Sequence, residues 1–253
     1  MNELSNRVAL VTGGASGIGR ASSVALARAG ADVALTYYTA ADEARSVVAE
    51  IEALGRRALS LKADMTEAGT VERVVTQTEE KLGPIDILFT NAGGILQRVR
   101  SAEATLDLWN KVFALNVTST FLACQAVLKR MEKRKRGAII TMSSLAAYSG
   151  GGPGATHYAA SKGAIVTYTR GLAREVGPLG IRVNGVAPGL IGETRFHELF
   201  NTPEGRASAV ASTPLGREGT PEDVAQAVVW LASDRSSFIT GETIQINGGA
   251  GVY

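Results

Sequence analysis

The stretch RVALVTGGASGIG, residues 7–19, decides how this chain folds. It opens on a short apolar run ending in glycine. Such a run has no polar face, which predicts a strand buried on both sides, as in a parallel sheet. Gly13, Gly17 and Gly19 follow, and a helical segment begins among them. Gly13 allows a tight turn. Gly17 and Gly19 allow close backbone approach and close packing of helix on strand. The N–H groups at a helix start, together with the helix dipole, suit a pyrophosphate. Placed after a first strand, the cluster predicts a phosphate-binding loop; the plainer alternative is a tight strand–helix turn. The spacing is not the common G-x-G-x-x-G.

Outward from this unit the same kind of run recurs at 31–38, 57–63, 85–94, 137–144, 181–189 and 242–249. Helical segments lie between the runs, at 17–29, 40–54, 67–82, 103–133, 156–177 and 221–233. Thr220, Pro221 and the acids after them make a good helix start, and glycines 30, 55 and 83 stand where helices should stop. Strand and helix alternate without a break in composition. The pattern predicts one α/β domain over residues 1–253, a doubly wound parallel sheet with helices on both faces. The irregular stretch 189–219 is expected to be a lid or binding segment, or else a plain surface excursion.

A net charge of +2 gives no bulk attraction to nucleic acid or membrane, so neither is expected as a partner. The basic run KRMEKRKR (129–136) falls at a helix end, where cations suit the dipole. Cys124 is the sole cysteine, which rules out an intrachain disulfide and makes a reducing, cytoplasmic setting the expectation. The first residues lack the apolar core of a signal peptide. No apolar stretch approaches the ~20 residues of a membrane span. His157 and His197 are the only histidines, and with no Cys/His cluster no metal site is expected. MSSLA lacks the G-x-S-x-G elbow of a hydrolase.

HYAASKG, residues 157–163, puts Tyr158 and Lys162 one helical turn apart on one face. A phenol titrates near pH ~10. Bringing it near neutrality takes roughly 4 kcal/mol of preferential stabilisation of the phenolate. A neighbouring ammonium supplies part of that, and the tuned phenol is then a general acid or base. Ser143 and Ser144 end the preceding strand, and only one of them can point at the same substrate oxygen. Arg98 and Arg100, after the fourth strand, read as solvated loop residues or as a hold for an anionic substrate.

TGxxxGIG (12–19), NAG (91–93), Asn116 in ALNVTSTF, TMSS (141–144), YAASK (158–162), NGVAPG (184–189) and ITGETIQINGG (239–249) occur in this order. As a set they resemble the short-chain dehydrogenase/reductase family over essentially the whole chain. The resemblance implies a Rossmann-like domain with a seven-strand parallel sheet that binds NAD(H) or NADP(H). It implies Tyr158 as acid/base, Lys162 lowering its pKa and holding the nicotinamide ribose, Ser144 polarising the carbonyl, and Asn116 holding a proton-relay water. For the cofactor it implies Gly13, Ser16, Gly17, Ile18 and Gly19 at the phosphates, and Asp64 at the adenine. Asn91 would lie on the adenosine side and Thr194 at the nicotinamide amide, with Ala92, Gly93, Pro188 and Gly189 also binding the cofactor. The loop 148–157 and the stretch PGLIGET each carry about one residue more than the common form.

An acid at the end of the second strand would select NAD. Here Tyr37, Tyr38 and Thr39 stand there, so NADP(H) is favoured, with Tyr38 and Thr39 near the phosphate and NAD(H) possible. Among family members the chain looks most like 3-oxoacyl-carrier-protein reductases and sugar dehydrogenases. The substrate is thus expected to be a small ketone or secondary alcohol, and the protein a homodimer or homotetramer. The competing reading is a cofactor-sensing protein without turnover.

Overall fold

The computed structural model describes residues 3–194 and 202–253. Seven strands run through it: β1 (Val8–Val11), β2 (Asp32–Tyr37), β3 (Ala58–Lys62), β4 (Ile85–Thr90), β5 (Gly137–Met142), β6 (Ile181–Pro188) and β7 (Thr243–Ile246). They form one sheet in the order β3-β2-β1-β4-β5-β6-β7, and every pairing is parallel. The expected doubly wound sheet is therefore present. The order reverses direction between β1 and β4, and that switch point opens a crevice at the carboxyl ends of the strands.

Period-two alternation explains why the strand runs are apolar throughout. Ala9 and Val11 pack with Val33, Leu35, Ile87, Phe89 and Ile140 on one side of the sheet. Val8 and Leu10 pack with Ala34, Leu88, Ile139 and Val183 on the other. The first layer is covered by α1 (Gly17–Arg28), α2 (Ala41–Ala53) and a late helix (Pro221–Ala232). The second is covered by α3 (Ala68–Leu82), α5 (Ser119–Arg134) and α7 (Thr156–Val176). The edge strands β3 and β7 are only half-buried, because each has a neighbour on one side alone.

Glycines 30, 55 and 83 end their helices with positive φ, as expected. The late helix opens with a capping box: the Asp223 N–H donates to Thr220 Oγ1 (3.2 Å), and the Thr220 N–H donates to Asp223 Oδ2 (2.8 Å).

Three expectations change. The helix expected over 103–133 starts at a Thr105 cap as α4 (Leu106–Phe113), widens into a π turn over Ala114–Thr118, and only then becomes α5. Asn116 lies in the wide turn, and its Nδ2 takes the Val112 carbonyl (3.0 Å). By composition the run Leu106–Arg134 is long and apolar enough to cross a membrane, contrary to the sequence reading; half of the qualifying window is packed inside the fold, as in a core helix. The stretch 189–219 is also less irregular than expected. A short helix α8 (Pro203–Ala211) starts on a Thr202 cap with proline in its first turn, the same signal that opens the late helix, here α9. Arg206 ties it to Glu218 (2.6 and 2.8 Å). Residues 195–201 of that stretch, His197 among them, lie outside the described residues.

Asp32 fastens β2 to the chain entering β3. Burial pushes its carboxyl up, but the Arg57 N–H and the guanidinia of Arg57 and Arg56 outweigh this and hold it below the ordinary value. The bonds are 2.9, 2.8 and 3.0 Å long. A carboxyl whose folded pKa is depressed stabilises above the unfolded pKa and loses that contribution as pH falls through the folded one. Asp32→Asn is expected to cost about 1–3 kcal/mol at pH ~7 in urea unfolding, with the gap to wild type shrinking as pH falls below ~4.

Candidate active site

The loop after β1 is built by close approach. A Cβ on Gly19 would lie 2.1 Å from the Gly13 carbonyl oxygen and 2.5 Å from Asn91 Nδ2, so α1 sits directly on the turn. Gly13 and Gly17 take φ of +63° and +51°, which only glycine adopts readily. Asn91, just past β4, donates through Nδ2 to the carbonyls of Thr12 (3.1 Å) and Gly13 (2.9 Å). The Ala92 N–H donates to Thr12 Oγ1 (3.0 Å). The helix begins at Ser16 with no side-chain cap. Its first-turn N–H groups therefore point into the crevice without an intrahelical partner.

The opposite wall carries the phenol. Ser143 and Ser144, just past β5, diverge as adjacent residues must. Ser143 Oγ donates to the Lys162 carbonyl (2.9 Å). Ser144 Oγ accepts from the Ala146 N–H (3.2 Å) and is hydrogen-bonded to Tyr158. Lys162 Nζ lies 5.7 Å from the centre of the Tyr158 ring and donates to the Met142 carbonyl (2.8 Å). Lys162 is buried and Tyr158 half-buried, and loss of water governs both. It pushes the phenol up to about 12, against the pull of the Ser144 hydrogen bond and the Arg98 charge, and it pushes the lysine down to about 7. Burial thus outweighs the groups that lower the proton affinity of the phenol. Asn116 bonds Gly94 in both directions (2.8 and 3.0 Å). A Cβ on Gly93 would lie 2.5 Å from Asn116 Oδ1 and 3.2 Å from Lys162 Nζ, so the glycine is wedged between the two side chains. His157, beside Tyr158, turns away to the Gln97 carbonyl (3.0 Å).

The two walls enclose a cleft of about 410 Å³. A family model described as enoyl-(acyl carrier protein) reductase matches residues 13–251. The chain is 40% identical over 261 residues to a cyclohexanol dehydrogenase of Rhodococcus sp. (strain TK6), covering 97% of this chain and 96% of that one. It is 38% identical over 247 residues to a 3-oxoacyl-[acyl-carrier-protein] reductase of Escherichia coli (strain K12), covering 96% of each. A crystal structure of a short-chain type dehydrogenase/reductase from Mycobacterium marinum superposes with a TM-score of 0.94 at 35% identity, covering 100% of this chain and 98% of the other. The chain belongs to the short-chain dehydrogenase/reductase family. It is an NAD(P)-dependent oxidoreductase.

The cleft fits a dinucleotide of that family. The uncapped start of α1 and the side-chain-free faces of Gly13 and Gly17 form a cradle for a pyrophosphate. Ser16, Ile18, Tyr38, Asn91, Ala92, Gly93, Pro188, Gly189 and Thr194 line the cleft with them. Thr194 reaches across: a Cβ on Gly17 would lie 3.4 Å from its methyl group. Four residues named from the sequence do not line the cleft. Gly19 packs beneath the loop, and Asn116 stands behind Gly93 and Gly94. Thr39 accepts from the Ala41 N–H through its carbonyl (3.0 Å). Asp64 Oδ1 accepts from the Thr66 N–H (2.9 Å) and hydroxyl (2.7 Å), closing the turn before α3. Gly94, Leu115, Met142 and Ile191 line the cleft without having been named as site residues, and Ser143, the alternative to Ser144, lines it as well. Met142 acts through its backbone carbonyl, which no side-chain pattern reveals.

The wedge at Gly93 gives a test. Gly93→Ala is expected to lower kcat more than tenfold, because a Cβ there displaces Asn116 or Lys162 from its bonds. Circular dichroism and steady-state kinetics on the same preparation check that the fold is kept while turnover falls.

Proposed function

We propose that the protein catalyses reversible hydride transfer between NADP(H) and a ketone or secondary alcohol, in the manner of 3-oxoacyl-carrier-protein reductases. The observation that carries this reading is the meeting of Ser144, Tyr158 and Lys162 on the wall facing the glycine loop. A bound dinucleotide would supply or accept the hydride. Tyr158 gives its proton to the substrate oxygen in reduction and takes it back in oxidation. Ser144 Oγ, already bonded to Tyr158, donates to the same oxygen as negative charge develops there. Lys162 binds the nicotinamide ribose hydroxyls from its seat on the Met142 carbonyl. Asn116 holds a relay water toward Lys162 through the second lone pair of Oδ1. Tyr38, which lines the cleft, acts at the adenosine end.

The preference for NADP(H) rests on the end of β2. Tyr38 stands there largely exposed and lines the cleft. The next carboxylate along the chain, Asp42, is held in an ion pair with Arg45. A carboxylate that would repel a 2′-phosphate is thus missing at 37–39. The absence of a basic residue at Tyr38 favours the second reading, an NAD-dependent sugar or alcohol dehydrogenase. The reading also includes self-association as a dimer or tetramer: Leu106, Trp109 and Phe121 are exposed along α4 and α5, and Phe121 meets Tyr168 of α7 edge-on at 6.4 Å. The lone cysteine, buried as a thiol, accords with a reducing cytoplasm.

Tyr158→Phe is expected to lower kcat for ketone reduction by about 10²–10⁴-fold while nucleotide affinity, read by fluorescence titration, changes little. Unchanged turnover would remove Tyr158 from the proton transfer. In the same titration of the wild type, NADPH is expected to bind at least ~10-fold more tightly than NADH. The reverse order would move the reading to NAD-dependent oxidation.

A further inference from the structure

The chain that leaves β6 crosses to the glycine loop. Ile191 and Thr194 both line the cleft, and both are buried. Thr194 stands against the start of α1: a Cβ on Gly17 would lie 3.4 Å from its Cγ2 and 3.7 Å from its Cβ. Its hydroxyl donates to the Ile191 carbonyl (3.0 Å), which closes a turn over 191–194. The base of the turn is fixed from behind. Ile191 bridges to Gly219, the Gly192 N–H donates to the Gly219 carbonyl (2.9 Å), and the Gly219 N–H donates to the Leu190 carbonyl (3.0 Å). A Cβ on Gly192 would lie 2.5 Å from Glu218 Oε2, the carboxylate that holds Arg206 of α8. One residue of the turn is out of keeping with the rest. Glu193 is exposed between buried Gly192 and buried Thr194, and it takes a φ of +55°. That conformation crowds a Cβ against the backbone, so residues other than glycine avoid it.

We propose that Glu193 is a positioning residue for the nucleotide: its left-handed backbone turns Thr194 across the cleft onto the glycine loop. The inference rests on the reading of this cleft as the dinucleotide site with Thr194 against the nucleotide. Glu193 acts through its φ and not through its carboxylate. The side chain is exposed, so packing gives no reason for the conformation. The direction of the next residue does. A right-handed or extended Glu193 would swing Thr194 away from Gly17 and break its bond to the Ile191 carbonyl. Strain of this kind persists where the surroundings over-determine it. Here the Gly219 bridge holds one end of the turn and the Thr194–Ile191 bond closes the other. With its proton given to Ile191, the Thr194 hydroxyl keeps a lone pair with which to accept from an amide.

The test titrates the full chain with NADPH and, separately, with NADH by fluorescence, and it needs no turnover. Glu193→Val brings a β-branched residue that resists the left-handed region, and it is expected to weaken binding at least ~5-fold. The factor is expected to be the same for both nucleotides, because Thr194 meets the glycine loop and not the end of β2. Glu193→Gly and Glu193→Asn, which take positive φ readily, are expected to bind within about twofold of wild type. On a Thr194→Ala background, Glu193→Val is expected to add nothing, since both changes remove one contact. Thermal unfolding without nucleotide checks that each variant is folded at the titration temperature. Unchanged binding in Glu193→Val overturns the proposal. Equal weakening in the Gly and Asn variants overturns it as well, since the carboxylate would then be the part that matters. So does a full further loss in the double variant, which a turn that merely supports the fold would give. Thr194→Ala is also read alone. Wild-type affinity there removes Thr194 from the nucleotide and the proposal with it, whereas weakened binding there beside an unaffected Glu193→Val removes only the role of Glu193.

Discussion

The seam between β1 and β4 is the constraint from which the rest of the site follows. These two strands are neighbours in the sheet although two strand–helix units separate them in the chain. Beyond their carboxyl ends the chains to either side turn to opposite faces, and a gap must open. Asn91 and Thr12 hold that gap at a fixed width by bonding the β4 exit to the glycine turn. The turn in turn carries α1 with no room for a side chain at Gly19. Widening the seam would leave the Thr12 and Gly13 carbonyls without partners in a largely buried setting, a cost of about 1–3 kcal/mol for each.

On the other wall, desolvation is the dominant force. Lys162 is buried and Tyr158 half-buried, and loss of water disfavours the ammonium and the phenolate alike. The protein places donors and charge around them rather than pairing them directly. Ser144 bonds the phenol, and the Met142 carbonyl receives the lysine. This leaves the proton affinity of the pair open to adjustment by whatever enters the cleft.

The π turn connects the two walls. Within Ala114–Thr118 the regular helical ladder is interrupted, and Asn116 is brought against Gly93 and Gly94, directly after the Asn91 that binds the glycine loop. One helix thereby touches both the nucleotide side of the cleft and, past Gly93, the buried lysine. An unbroken helix over the same residues would have kept the Asn116 amide in line with its own turns. A π turn inside a helix commonly marks a functional position, and here it has a local cause in the Asn116–Val112 bond.

Sequence by itself determined the strand–helix alternation, the parallel sheet buried on both faces, the glycine loop and the Tyr158–Lys162 pair. Each is a local pattern: apolar runs of strand length, glycines where φ turns positive, residues one helical turn apart. Helix ends at Gly30, Gly55, Gly83 and Thr220 were legible for the same reason. The Thr202–Pro203 start of α8 carried the same signal and went unread within an irregular stretch. Tertiary structure alone decided the rest. Which of two adjacent serines faces the phenol depends on the phase of β5 against α7. That Asp64 closes a turn, that Lys162 is received by a backbone carbonyl, and that Arg98 meets Pro153 all depend on loops distant in sequence. Burial has the same origin. The spacing placed an ammonium beside a phenol, but only the folded surroundings set how much water either one keeps, and that sets their proton affinities.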